Sequence, residues 1–506
     1  MVNPFCYHGK IRTMSETLLD LLDAAPSDRL AVVSPAAGIE LSYGALRQQV
    51  RTVAAIFAEA GIRRGDRVAL ALPNGSRAVV SFLAAAAAGT AAPLNLAYRV
   101  EEFRFYLEDT AARLLVVPAE GAEAARQAAG DRVPILTAEE ILAAAPRTSA
   151  PADPAPSPGD VALVLHTSGS TGRPKRVPLT HFNLVASAQN TVNTYQLGPE
   201  DVTLCVMPLF HVHGLVASLL ATLLSGGTVV VPPRFSPLSF WPTARQHRVT
   251  WFSAVPTIHQ LLLARLGGEK PAGAERLRFI RSCSAALPVQ TGERLEAALG
   301  VPVLEAYGMT EASHQMSSNP LPPDRRKLGS VGTATGVRIA ILDSRGLAGP
   351  GQTGEVVIQG PNVIRGYENE PQADAGSFLN GWFRTGDQGV LDADGYLRLT
   401  GRLKELINRG GEKISPPEID EVLLAHPAVA DAVCFGVAHP TWGEEVAAAV
   451  VLRQAASEAD LVAHCRERLA DFKCPKKIHL LDSIPRTVTG KIQRRAVAEL
   501  VSGNRP

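Results

Sequence analysis

Short apolar runs alternate with helix-patterned segments through the first third of the chain, and nothing else in the sequence restricts the fold as tightly. Val68-Ala-Leu-Ala-Leu72 is too short for a core helix and is closed by Pro73-Asn74-Gly75. A helical run covers 79–88, Ala91-Ala-Pro-Leu94 opens another strand or loop, and Leu114-Leu-Val-Val117 is again a strand. Strands of this length separated by helices imply βαβ units and a largely parallel sheet. Val161-Ala-Leu-Val-Leu165 adds a further buried strand, reached through a connector with four prolines in residues 151–158. Prolines at that density cannot continue a helix or a central strand.

The later chain reads differently. Val337-Arg-Ile-Ala-Ile-Leu342, Gly354-Glu-Val-Val-Ile358 and Gly395-Tyr-Leu-Arg-Leu-Thr400 are strands joined by Gly- and Asp-rich turns, as an antiparallel subdomain requires. From Gly401 the composition becomes charged and mixed. Pro416-Pro-Glu-Ile-Asp-Glu opens a helix with proline and acids in its first turn, where both are favoured. The expected architecture is α/β: a large N-terminal domain over 14–402, with parallel-rich sheets and a β-rich subdomain, and a small mobile α+β domain over 403–506. Met14 opens an amphipathic stretch and is read as the natural start, with 1–13 an extension.

At 506 residues, with 50 Lys and Arg against 49 Asp and Glu, the chain carries a net charge of +1. That balance gives no electrostatic footprint for nucleic acid or an anionic membrane. Six scattered cysteines without a C-x-x-C pair argue against a disulfide framework or a zinc site. No run is long enough to span a bilayer, and the N-terminus lacks a secretory apolar core. The expected compartment is the cytoplasm.

The chemistry begins at Thr167-Ser168-Gly169-Ser170-Thr171-Gly172-Arg173-Pro174-Lys175, directly after the strand at 161–165. Two glycines let the backbone bend close to an anion, and the hydroxyls and lysine surround it with donors. A Ser/Gly surface turn is the plain alternative. A Walker A loop is excluded, because Arg176 follows the lysine. Further motifs follow in order: Tyr307-Gly-Met-Thr-Glu311, Gly381-Trp-Phe-Arg-Thr-Gly-Asp387, Gly401-Arg-Leu-Lys-Glu405, Asn408-Arg-Gly-Gly-Glu-Lys-Ile-Ser415 and Pro485-Arg-Thr-Val-Thr-Gly-Lys491. Together they resemble the adenylate-forming superfamily of acyl-CoA synthetases, adenylation domains and luciferases, from about residue 15 to 499.

The resemblance implies a two-step reaction. A carboxylate attacks the α-phosphate of ATP and releases diphosphate; the thiol of coenzyme A then displaces AMP. It assigns Thr167, Ser168, Gly169, Ser170, Thr171, Gly172 and Lys175 to the β- and γ-phosphates, Thr310 to a phosphate contact and Glu311 to Mg2+. Tyr307 takes the adenine stack, with a core aromatic as the other reading. Asp387 and Arg402 take the ribose, and Lys404 the hinge. Lys491 takes the carboxylate and α-phosphate oxygens, completing a catalytic set with Thr310, Glu311 and His213. Gly410 and Gly411 take the coenzyme A face. Pro361 and Trp442-Gly443-Glu444 resemble regions around the same channel, and turns explain them equally well.

For the acid, Met207-Pro-Leu-Phe-His-Val-His-Gly214, Phe279-Ile-Arg-Ser-Cys-Ser-Ala-Ala-Leu287 and Glu305-Ala-Tyr-Gly-Met-Thr-Glu-Ala-Ser-His314 most resemble oxalate–CoA ligases. His213, Ser282, Ser284 and His314 thus become the substrate contacts. Imidazole and hydroxyl donors suit a second carboxylate, so oxalate is the expected acid. Malonate, an aryl or medium-chain acid, and carrier-protein loading are the alternatives. One departure stands out. Relatives commonly have Gly where this chain has Arg176, so either Arg176 is strained at positive φ, or its charge touches diphosphate or faces water.

Overall fold

The computed structural model describes residues 16–145, 155–167, 174–487 and 491–502. The proposed extension 1–13 and Met14 lie outside them, as do Ser168, Gly169, Ser170, Thr171 and Gly172.

The βαβ rhythm folds into two sheets. In the first, Ile135–Thr137, Ala112–Val117, Arg67–Leu70, Thr90–Pro93 and Val161–Thr167 run parallel. Lys175–Thr180 then returns antiparallel on Val161–Thr167. The phosphate-loop motif therefore joins two strands of a hairpin, instead of leading straight into the helix at His181–Tyr195. The second sheet has nine strands; Leu30–Ser34, Thr228–Val230, Val202–Leu204, Trp251–Ala254, Phe279–Ser282 and Val303–Met309 are its parallel centre. Helix Ser76–Ala88 is buried on nearly every face, which explains its alanine-rich, stripe-free sequence. It packs with Tyr43–Glu59 in the core that both sheets share.

The antiparallel subdomain forms a six-stranded sheet around Thr353–Gln359 and Trp382–Leu391, ending in Leu397–Arg402. After a turn at 403–406, Ile407–Arg409 begins the five-stranded sheet of the smaller C-terminal domain. That domain has its own core of Ile407, Ile419, Leu423, Val446 and Leu461. Among the described residues no helix is long and apolar enough to cross a membrane.

Candidate active site

Strand ends from three sheets meet the C-terminal domain at one place. Val303–Met309 carries Tyr307, whose hydroxyl donates to Oδ2 of Asp387 at 2.5 Å. Asp387 lies opposite Arg402 in the neighbouring sheet, and its Oδ1 accepts from Arg402 Nε at 2.9 Å. Burial, then the Asp387 charge, holds the Tyr307 phenol well above its usual range, so it remains a donor. Each Asp387 oxygen has a second lone pair beyond the one that these bonds use.

The chain then turns sharply over Thr310–Ala312, burying Glu311. Its Oε1 accepts from the Tyr367 hydroxyl at 2.9 Å. Burial raises the Glu311 carboxyl, and the Tyr367 bond and the charges of Arg402 and Lys491 oppose that rise. The Lys175 ammonium sits 4.5 Å from the centroid of the Tyr367 ring. Tyr367 thus ties the end of the phosphate loop to the carboxylate. Arg176 lies in the strand Lys175–Thr180 and is absent from the positive-φ positions, so it is unstrained. Its guanidinium pairs with Asp109 and Glu368, both at 3.4 Å. With its side chain only 16% exposed, it does not face open water.

Lys491 is braced by Thr487, whose Oγ1 accepts from its backbone N–H at 3.0 Å. Its side chain is solvent-accessible yet flanked by protein charges, as a cleft-lining group is. Desolvation lowers its pKa, and Arg402 adds to the fall; Cys283, Asp387 and Glu311 oppose it.

A buried polar pocket lies beside this lysine. His213 opens a π-helical stretch, His213–Leu220, a helix form frequent at functional sites. Its Nδ1 is 3.0 Å from Ser284 Oγ and its Nε2 is 2.6 Å from Ser253 Oγ. The His213 and His314 ring centroids are 5.1 Å apart. Burial first, and the Arg281 charge second, hold both imidazoles well below their ordinary pKa, so both are neutral. His211, next to them, is pushed down to about 3 by burial and then by Lys491. Backbone strain concentrates here: Ser284, Ser313 and His314 have φ of 72°, 49° and 101°. Non-glycine residues in that region cost energy and cluster at functional sites. Gly308 makes the arrangement possible, since a Cβ there would stand 1.9 Å from the His314 carbonyl oxygen.

The structure thus brings together Lys175, Tyr307, Thr310, Glu311, Asp387, Arg402, Lys491, His213, Ser284 and His314. Thr167 faces Lys175 across the hairpin. Ser282 stands apart from this cluster. Strand alternation puts it beside Ile280 on the face opposite Arg281, and its buried hydroxyl has no partner among the described residues. Gly410 and Gly411 form the two-residue turn between Ile407–Arg409 and Glu412–Ile414, with φ of 60° and 98°. Such turns need two left-handed residues. A Cβ on Gly410 would also meet the Trp442 ring at 2.8 Å, so both glycines are explained within the small domain. Pro361 accepts from Asn183 Nδ2 at 2.7 Å in a segment that braces the Glu311 turn, since Ile364 N–H donates to the Glu311 carbonyl at 2.9 Å. Lys404 is exposed in the turn between the two domains' sheets. Sequence reasoning missed Tyr367, His211, Ser253 and Arg281. His211 was visible in the same short motif as His213, whereas the burial of the others depends on contacts distant in sequence.

The chain's similarities agree with this geometry. The family model for AMP-binding enzymes matches residues 22–368, and that for the AMP-binding enzyme C-terminal domain matches 418–491. The oxalate–CoA ligase of Arabidopsis thaliana is 46% identical over 96% of this chain and 98% of its own length. The sulfoacetate–CoA ligase of Cupriavidus necator is 42% identical over 92% and 94%. A crystal structure of ATP-bound MatB from Rhodopseudomonas palustris superposes with a TM-score of 0.89 at 32% identity, covering 96% of this chain and 99% of that one. With both family models and near-full-length relatives in agreement, the chain belongs to the AMP-binding enzymes and is an AMP-forming acid–CoA ligase.

Proposed function

We propose that the acid is oxalate and the product oxalyl-CoA. The observation that carries this reading is the pocket beside Lys491, where neutral His213 and His314 converge with Ser284. An aryl or alkyl chain gains nothing from burying such donors, whereas a second carboxylate satisfies them. Similarity to oxalate–CoA ligase supports it. A sulfonate also offers a distal anion, so sulfoacetate is the second reading, favoured by the 42% identical relative.

In this reading the loop from Thr167 through Ser168, Gly169, Ser170, Thr171 and Gly172 to Lys175 holds the β- and γ-phosphates, with Thr310 beside it. Tyr307 packs on adenine, and Asp387 and Arg402 bind the ribose hydroxyls. Glu311 is a fitting Mg2+ ligand: a buried carboxylate, held in place by Tyr367, with its second oxygen available. Mg2+ is typically bound by one or two carboxylates plus phosphate oxygens and water, and when bound it supplies charge neutralisation at the phosphates. Lys491 neutralises the approaching carboxylate and α-phosphate, both anions, as the carboxylate oxygen attacks phosphorus and diphosphate departs. His213, Ser284 and His314 hold the distal carboxylate. The small domain, taken as 403–506, then turns about Lys404 and brings the Gly410–Gly411 turn to coenzyme A, whose thiolate attacks the acyl carbon and expels AMP.

ATP–diphosphate exchange with oxalate, malonate, sulfoacetate, acetate and propionate, followed by thioester detection with coenzyme A, tests the reading. Preference for oxalate supports it. Equal or better exchange with acetate or propionate overturns it.

A further inference from the structure

Arg281 is fully buried on strand Phe279–Ser282, and no carboxylate among the described residues pairs with it. Its Nε donates to the Tyr195 hydroxyl at 2.7 Å, Nη1 to Ser253 Oγ at 2.9 Å and Nη2 to Gln315 Oε1 at 2.8 Å. Every one of these acceptors is neutral. A buried guanidinium is costly unless an anion compensates it. The hydrogen bonds from Arg281 also have a direction, because a guanidinium only donates. Ser253 Oγ accepts from Arg281 and keeps its one hydrogen free to donate to His213 Nε2, 2.6 Å away. His213 then carries its proton on Nδ1 and donates to Ser284 Oγ at 3.0 Å, which leaves the Ser284 hydrogen for a ligand. On the other side Arg281 Nη2 is 3.5 Å from His314 Nδ1, which fixes that nitrogen as an acceptor. The His314 proton is then on Nε2, where among the described residues the Cys283 sulfur at 3.9 Å is its partner.

We infer that Arg281 is the specificity-determining positioning residue for the acid: its fixed charge orients two relays, ending at Ser284 O–H and His314 Nε2–H, and is balanced by the substrate's distal anion. This rests on the reading of the pocket as the acid site. Arg281 acts through Ser253, His213 and His314 without touching the substrate. The ligand class is a short acid with a second negative group in place of a methyl or methylene end.

The pH behaviour carries the signature. Arg281, His211, His259, His314 and Lys491 are the charged or titratable groups facing His213; Arg281, His213, His211 and Lys491 face His314, with Cys283 beside it. Removing the Arg281 charge lets both imidazoles protonate at higher pH, so that an imidazolium can replace the lost cation.

The test is ATP–diphosphate exchange by the full chain with oxalate and with propionate, from pH 6 to pH 8. Arg281→Met should lower the oxalate-to-propionate ratio of kcat/KM by roughly 100-fold with little change in the KM for ATP. The oxalate activity of Arg281→Met should recover as the pH falls, while the wild type does not show that rise. Arg281→Lys should restore part of the ratio. Ser253→Ala removes one relay while keeping the cation, and should raise the oxalate KM by about 10-fold. It decides the matter if Arg281→Met does not fold. A wild type that prefers propionate sinks the acid-pocket reading before any variant is made, and this inference with it. A wild type that prefers oxalate, with folded variants that keep the ratio and gain no pH dependence, overturns the role of Arg281 alone.

Discussion

The Tyr367 hydroxyl donates to Glu311 Oε1 at 2.9 Å, while the face of the same ring carries the Lys175 ammonium. One side chain therefore sets the distance between the end of the phosphate loop and a buried carboxylate 56 residues away from it in sequence. Neither Lys175 nor Glu311 contacts the other through any bond of its own in this arrangement; both are positioned through the tyrosine.

Tyr367→Phe keeps the ring and removes the hydrogen bond. Burial already raises the Glu311 carboxyl, and the Tyr367 bond is among the influences that lower it. Without that bond the pKa rises further, so a larger fraction of Glu311 is protonated on the acid side. A hydrogen bond to a charged group contributes about 1.5–3 kcal/mol, or roughly 10-fold and upward. The Mg2+ concentration for half-maximal adenylation should increase about 10-fold near pH 6 and less near pH 8. Identical Mg2+ curves for variant and wild type at both pH values would remove Glu311 from metal binding.

Tyr307→Phe tests the nucleotide side. It removes the donor to Asp387 Oδ2 and leaves the Arg402 bond to Oδ1. The freed carboxylate can rotate, so the KM for ATP should rise by roughly 10-fold while the KM for the acid stays within about twofold. A larger effect on the acid than on ATP would place Tyr307 in the other pocket.

Which parts of this were legible in sequence follows from how each residue is buried. Strands near 67–117 and 337–400 announce themselves through short apolar runs and Gly/Asp turns, and helix Pro416–Leu424 through its proline and acids. The centre of the nine-stranded sheet does not, because strands such as Trp251–Ala254 and Phe279–Ser282 are buried on both faces and show no alternation. Arg281 in Phe-Ile-Arg-Ser reads as a solvent-facing charge; only packing against Tyr195, Ser253 and Gln315 reveals a buried one. Ser282 and Ser284 look equivalent on either side of Cys283. The pleat sends Ser282 away from the pocket, and a left-handed backbone at Ser284 turns its hydroxyl toward His213. His213 and His314 were found by resemblance, since two histidines 101 positions apart carry no periodic signal.

Arg176→Gly substitutes the residue common in relatives. Arg176 closes a chain of charges with Asp109, Glu368 and Arg67, and its side chain is only 16% exposed. Loss of two partly buried ion pairs should destabilise the large domain by about 1–3 kcal/mol. A lower urea midpoint, with adenylation kinetics largely retained, is the expected result. An unchanged midpoint would make Arg176 energetically silent.

Lys491 should set an alkaline limit. Desolvation and Arg402 depress its pKa below the ordinary 10.5, so the ammonium loses its proton at a lower pH than a free lysine. In the proposed reading adenylation uses the charge, so its rate should fall as pH rises through that depressed value. Lys491→Arg, which stays charged, should lose activity at neutral pH through misfit but lack the alkaline fall. Lys491→Ala should cut acyl-adenylate formation by roughly 10²–10³-fold. Wild-type and Lys491→Arg profiles that fall together on the alkaline side would assign the titration to another group.

Lys404→Pro tests the rotation between half-reactions. The turn at 403–406 is the link between Leu397–Arg402 of one sheet and Ile407–Arg409 of the other. Its backbone bonds run from Leu403 N–H to the Gly386 carbonyl and from Glu405 and Leu406 N–H to the Arg402 carbonyl. Proline at 404 leaves those three donors in place, but it fixes φ near −65° and restricts the residue before it. A rotation of the small domain must be absorbed by a few such dihedrals. The present arrangement, with Asp387 and Glu311 among the charges acting on Lys491, is the adenylating one in the proposed reading. ATP–diphosphate exchange should therefore persist in Lys404→Pro while thioester formation collapses. Lys404→Ala removes the charge without stiffening the turn and should be mild in both assays. Normal thioester turnover in a folded proline variant would place the pivot elsewhere in the chain.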